Sequence, residues 1–555
     1  MLKIKFKHQN FKFIKHFYKE ILLILMFLLL YIPALGYSYV QPTDPVWAQR
    51  GIQFYEAFRH GDFAQTYTKY HPGVTLMWIT GISYKIFYTF QKLYFGYVRD
   101  LFLYQVELYS IYSFIVKFFI AGSIFSILFY CYSIIKKHIS STFAFWVIFF
   151  IITEPFVIGN VRSIHVDALA TFFMFASVIS FWALQVEKFS LKKYILLTGI
   201  FTGFALLTKI SSLVLFPFFI ISSILVKISG KISIKVFLGT LFKAFRRNIF
   251  ILFSISFVSA IIFFLFFPAM WSNPISTIQK IVSDGFLDTA LNEESSQIVL
   301  GWDIATLKYR YLSYFIQIMF RTSPLVLIGF LFGLLSFVLR FFSNKKTIKP
   351  LSSNMKSLLL NSLIFIFGYY LMISISDKKI FRYILPLYPF LSVFVAYTVT
   401  KIFSTINLRT YKIKIFVIAF VILYQFLQPV SVYPNFFAYF NPLLGGIKNA
   451  SKVISLNQDA TGYYIVGEYL NRKLNAEEIT VGCYDSGPMY AYFRGHTIKL
   501  KLIELSQEYL KDMDYILLPV QEGWQYLPKE DFRLEKVFRI NNFDYWYLYK
   551  KINAD

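Results

Sequence analysis

An all-α polytopic membrane domain followed by a small C-terminal α/β domain is the fold class this sequence predicts, on three observations. Of its 555 residues, 57% are hydrophobic and only 15% charged, with a mean hydropathy of +0.55. Soluble domains run near a quarter charged. The apolar residues come in runs of about twenty, the length that crosses about 30 Å of hydrocarbon. From Ser451 onward the composition turns ordinarily polar.

The apolar runs lie near 20–37, 109–134, 143–160, 164–185, 194–208, 211–227, 248–268, 319–341, 357–375, 383–401 and 413–430, about eleven spans in all. The first follows a Lys-rich start, and no small-residue cleavage pattern follows it, so it is expected to stay as a span. Alternate connections are basic: Lys136 and Lys137, then Lys188, Lys192 and Lys193, then 227–247, 345–356 and 401–414. Basic loops mark the cytoplasmic side. The net charge of +26 is therefore a topology signal, and no nucleic-acid partner is expected.

A cytoplasmic N-terminus and an odd span count make 1–430 the multi-spanning domain and 431–555 an extracytoplasmic domain of a multi-pass cell-membrane protein. The first outer loop, 38–108, carries two amphipathic segments, about 46–60 and 75–95, of the kind that lie on a membrane surface. In the C-terminal domain a helix-like stretch reaches about Leu474. Strand-like runs follow at Glu478–Cys483, Thr497–Leu502, Tyr515–Val520 and Asn542–Tyr549. Cys131 and Cys483 fall at opposite ends of this topology and are not expected to pair.

Ionisable groups at a membrane boundary are costly to keep, which makes each a functional candidate. Asp44 stands just beyond the first span, in Thr43-Asp44-Pro45, where a helix cap also accounts for it. His71 sits in the turn His71-Pro72-Gly73 between the two surface segments. Glu154, Arg162, His165 and Asp167 crowd one short outer connection, where Arg162 is placed to pair with Asp167 in the first turn of a helix. Lys209 is a cation in an otherwise apolar outer turn. Lys378, Lys379, Arg382 and Tyr383 put three more cations on the same side, suited to a phosphate or pyrophosphate at the membrane surface.

Four segments in this order resemble the GT-C superfamily of membrane glycosyltransferases, in the branch of protein O-mannosyltransferases and aminoarabinose transferases. They are Asp44 with the later YHPGVT and Trp78, EPFVIGNVRSIHVDAL at 154–169, DKKIFRYILPLYPFL at 377–391, and YPNFFAYFNPLLGG at 433–446. The resemblance implies an extracytoplasmic active site. It implies transfer, with inversion, of a sugar from a polyprenyl-phosphate donor to a glycan, lipid or protein acceptor. Asp44 matches the family's general base and Asp167 its second acid. Lys378, Lys379, Arg382 and Tyr383 match the region that holds donor phosphate. The family often has Asp-Glu in the first loop, and Pro45 stands here in place of that Glu.

Some members use a divalent cation and others do not. Asp44, Asp167, His71 and His165 are the residues that could ligate one, and their spacing does not decide it. A transporter or flippase of a polyprenyl-linked glycan would also need many spans and outer cations. Such proteins favour mid-membrane ionisable residues and paired repeats, whereas here the acids cluster at one face and no repeat appears.

Overall fold

The computed structural model describes residues 2–37, 43–69, 71–101, 105–187, 190–226, 234–284, 298–299, 302–303, 310–342, 351–375, 379–405, 411–456, 460–483, 486–500, 510–521 and 531–552. Within them lie eight helices long and apolar enough to cross a membrane, or nine counting one bent pair. The fold class is the expected one, a helical multi-span domain joined to a small sheet domain.

Among the described residues the span count is lower than the expected eleven or so. Leu2–Tyr31 is a helix but carries lysines through its first half, and Ile210–Leu225 is apolar but short. The run read as one span at 143–160 is two helices, Ser141–Ile152 and Pro155–Val161, bent by 68°. Pro155 explains the break, since a proline disfavours helical backbone in the residue before it and starts the next helix at its first position.

Two spans form the centre. Val166–Val186 and Phe381–Ser404 each have 83% of their apolar window buried inside the protein, against 11% for Asn248–Phe266 and Ile413–Val430. The first pair is therefore core and the second faces lipid. Close approach at the rim uses small residues: a Cβ at Gly199 or Gly203 would come within 2.6 or 2.7 Å of Val258 or Ile262 on the neighbouring helix.

The two surface segments are helices as expected, Asp44–His60 and Val74–Phe95, packed on each other. The turn between them ends at Gly73, whose φ of 60° suits glycine. Its N–H donates to the Thr208 carbonyl at 3.2 Å. That bond brings His71 beside the end of the helix Leu191–Thr208.

The C-terminal domain holds a five-stranded sheet in the order His496–Lys499, Thr480–Cys483, Tyr515–Pro519, Phe543–Lys551, Phe532–Ile540. The first three strands run parallel and the last two pairings are antiparallel. Phe532–Ile540 was not expected from sequence: Arg533, Glu535, Lys536 and Arg539 interrupt its apolar pattern, as suits a charged edge strand. The helix-like stretch ending near Leu474 resolves into two short helices, Gly446–Val453 and Tyr463–Leu470.

Candidate active site

The site grows from one carboxylate. Asp167 lies in the first turn of Val166–Val186, where a negative charge suits the helix dipole. Lys209, in extended backbone just after Thr208, donates to its Oδ1 at 2.5 Å. Arg382 Nε lies 2.9 Å from its Oδ2, as does His165 Nδ1. His165 also caps the helix, its Nδ1 accepting the Asp167 N–H at 3.3 Å. Three chain segments distant in sequence thus meet on Asp167. Arg321, buried against the rings of Phe381 at 4.4 Å and Phe440 at 5.0 Å, anchors the segment that carries Arg382.

His165, Lys209 and Arg382 form one wall of a cavity of about 230 Å³ lined also by Thr43, Val46, Trp47, Arg50, Lys69, His71, Ile380 and Tyr383. Among the described residues four cations line it and no carboxylate does. Lys209 sits 4.1 Å over the Tyr383 ring, and Arg50 stacks 4.9 Å from Trp47. Burial pulls the Lys209 and Lys69 ammonium groups below their ordinary range, and Asp167 draws Lys209 back upward. Burial also pushes His165 down to about 4, against the upward pull of Asp167, so its imidazole is neutral at pH 7. Such a pocket suits an anion with several oxygens, since lysine offers point charge and arginine a planar fork.

Asp44 is next to this cavity but not in its lining. It opens the helix Asp44–His60 and is fully buried. Its Oδ1 accepts the Ile164 N–H at 2.9 Å, and Oδ2 lies 3.3 Å from Nζ of Lys117, itself fully buried on Gln105–His138. The two acids are therefore joined by one short stretch: Ile164 holds Asp44, and three residues on, Asp167 holds the cations.

Other expected residues lie elsewhere. Arg162 does not pair with Asp167. Its guanidinium donates to the carbonyls of Leu30 at 3.3 Å, Tyr31 at 2.7 Å and Pro33 at 2.8 Å, closing the end of the first helix. Lys379 likewise donates to the carbonyls of Ile373 at 3.0 Å and Ser374 at 2.6 Å, at the end of Ser353–Ile375. Both are cations at helix C-termini, where free carbonyls and the dipole favour them. Glu154 sits at the bend and accepts from Ser323 twice, from N–H at 3.0 Å and Oγ at 2.7 Å. Lys378 lies outside the described residues.

Sequence reasoning missed Arg50, Lys69 and Lys117. Arg50 lies on the same short helix as Asp44 and Lys69 two residues before His71, a proximity that was legible in the sequence. Lys117 was legible too, as a lone lysine inside an apolar run.

Among the described residues no three His, Cys, Asp or Glu side chains group closely enough to hold a divalent cation, and Asp44 and Asp167 are each already engaged by a lysine.

Residues 99–272 match the family model of dolichyl-phosphate-mannose-protein mannosyltransferase. The mannosyltransferase match contains Lys117, Glu154, Arg162, His165, Asp167 and Lys209, together with the EPFVIGNVRSIHVDAL segment that carried the resemblance. Asp44 and Arg382 fall outside it. No curated protein matches the sequence. Similar solved structures include ArnT from Cupriavidus metallidurans bound to undecaprenyl phosphate, 11% identical with a TM-score of 0.49, over 96% of this chain and 98% of that one. Another is the Archaeoglobus fulgidus oligosaccharyltransferase in its apo form, 11% identical with a TM-score of 0.49, over 92% of this chain and 70% of that one.

Proposed function

We propose that the protein is an inverting glycosyltransferase that moves a hexosyl or pentosyl group from a polyprenyl-phosphate donor to an acceptor hydroxyl. The observation that carries this reading is the cavity with Arg50, Lys69, Lys209 and Arg382 on its walls. The match of residues 99–272 to the mannosyltransferase family supports it. On the reading that the basic loops are cytoplasmic, this face lies outside the cell, and the bilayer holds the polyprenyl tail.

The chemistry follows from charge. A phosphodiester donor carries one negative charge, and the phosphate monoester it releases carries about −1.5 to −2 at neutral pH. Charge therefore grows on the leaving group as the bond breaks. Preorganised cations stabilise that developing charge more than the ground state, which lowers the barrier. Asp167 keeps Lys209 and Arg382 from repelling each other apart.

Asp44 takes the proton of the acceptor hydroxyl. The acceptor oxygen bonds the anomeric carbon from the face opposite the phosphate, and the electron pair of the breaking bond leaves on the phosphate oxygen. Attack from the opposite face inverts the centre. Lys117 and the Ile164 N–H hold the Asp44 carboxylate in position for this step.

The test is release of free polyprenyl phosphate from a panel of polyprenyl-phosphate sugars by the purified protein, with crude membrane extract as acceptor. Turnover of one donor, lost in Asp44→Asn while the protein stays folded, supports the reading. No turnover with any donor removes it and favours a transport role.

A further inference from the structure

Beside Asp44 lies a group of hydroxyls that the transfer step does not use. Tyr109, Ser113 and Lys117 follow at four-residue intervals on Gln105–His138 and so share one face of it. Tyr109 is 3% exposed and Ser113 fully buried, and Lys117 on the same face reaches Asp44. Tyr492 joins them from the C-terminal domain, 6% exposed. The Asp44 charge acts on the hydroxyls of both Tyr109 and Tyr492.

The hydroxyls of Tyr109, Ser113 and Tyr492 have no hydrogen-bond partner among the described residues. A buried hydroxyl left unpaired is destabilising, because it has lost its hydrogen bonds to water. Native proteins keep few such groups, so the two tyrosine hydroxyls near one carboxylate, with Ser113 on the same helix face as Tyr109, point to a polar occupant.

Tyr492 is held where it is. The Asn471 side-chain amide donates to its carbonyl at 2.7 Å, and Gly467 leaves room for it, since a Cβ there would meet the Tyr492 Cβ at 2.6 Å. Its ring meets Tyr37 edge-on at 6.0 Å, and the Tyr37 hydroxyl donates to Glu468. This aromatic seam joins the end of the first outer segment to the C-terminal domain.

We infer that Asp44, Tyr109 and Tyr492 form the acceptor subsite, built for a sugar ring, with the C-terminal domain supplying its outer wall through Tyr492. The inference rests on the glycosyltransferase reading. A sugar presents neighbouring hydroxyls, so one donates to Asp44 while the next accepts from a tyrosine.

The experiment uses the full chain, the donor selected by the panel, and a set of methyl glycosides as acceptors. Wild type is compared with Tyr492→Phe and with Tyr464→Phe, a neighbouring ring whose hydroxyl accepts from Asn435 at 3.3 Å. Tyr492→Phe raises the acceptor KM about tenfold, the loss expected of one hydrogen bond worth about 1.4 kcal/mol, and raises KM more than it lowers kcat. It leaves the unfolding temperature unchanged or higher, because an unpaired hydroxyl is removed. Tyr464→Phe keeps the wild-type acceptor KM. A lower unfolding temperature in Tyr492→Phe, or an unaltered acceptor KM, overturns the subsite. Donor breakdown that no methyl glycoside accelerates overturns the sugar assignment. Absence of donor turnover in wild type removes the transferase reading itself, and this inference with it.

Discussion

Lys209 and Asp167 meet at 2.5 Å, joining the end of the helix Leu191–Thr208 to the first turn of Val166–Val186. Both side chains are buried, and Arg382 shares the same carboxylate from a third segment. In such a setting the pair acts more through geometry than through net stability, because burying two charges offsets much of their attraction. Its effect is to hold two cations side by side on the wall of one cavity.

Asp167→Asn keeps the size of the side chain but removes the charge that Lys209 and Arg382 share. The expected cost is about 3–5 kcal/mol of stability, the loss typical when one partner of a buried ion pair is removed. The rate of polyprenyl-phosphate release falls about 10²–10³-fold, the effect of losing a preorganised electrostatic element. Thermal unfolding and donor turnover measure the two; a variant as stable and active as wild type contradicts the positioning role of Asp167.

Asp44 and Lys117 form a second buried pair whose two roles separate in a double variant. Lys117→Met leaves a buried carboxylate uncompensated and destabilises by about 3–5 kcal/mol. Adding Asp44→Asn to it restores most of the unfolding temperature, because no lone charge remains. Turnover stays lost in the double variant. Recovered activity there would show that Asp44 is not the base.

Cations of similar type are expected to behave in two classes. Arg50→Met and Lys69→Met raise the donor KM and weaken its dependence on ionic strength, since they line the cavity. Arg162→Met and Lys379→Met lower the unfolding temperature by the loss of charged hydrogen bonds, worth about 1.5–3 kcal/mol each. They leave the donor KM at its wild-type value. Donor titrations and unfolding curves on the four variants decide the matter, and an Arg162 or Lys379 variant with a raised KM breaks the division.

His165 sets a pH dependence with a definite sign. Its folded value is lowered to about 4 by burial, below the ordinary 6.5, so the unfolded chain binds the proton more readily. Its contribution to stability is present above pH 6.5 and is lost as pH falls from there toward 4. Replacing it with Gln removes that slope in unfolding experiments across this window. An unchanged slope in His165→Gln assigns the pH dependence to other groups.

Divalent-ion removal gives a further check. With both buried acids held by lysines, donor turnover is expected to persist at full rate after exhaustive chelation. A rate lost on chelation and restored by one added cation would require that Asp44 or Asp167 exchange its lysine for a metal.

Hydropathy and period were enough to read the helical membrane domain, the two surface helices and most of the C-terminal strands, because each depends on residues close together in the chain. The candidate acids, His71, His165, Lys209 and Arg382 were legible as charges at a membrane boundary. Tertiary structure alone decided what each one touches. It turned Arg162 and Lys379 into helix caps, added Arg50 and Lys69 to the cavity, and set Lys117 against Asp44. The bend at Glu154-Pro155 and the charged edge strand Phe532–Ile540 also emerged only there. The physical reason is range. Periodicity records which face of a helix is apolar, whereas an ion pair such as Lys209 with Asp167 depends on where two helices end relative to each other.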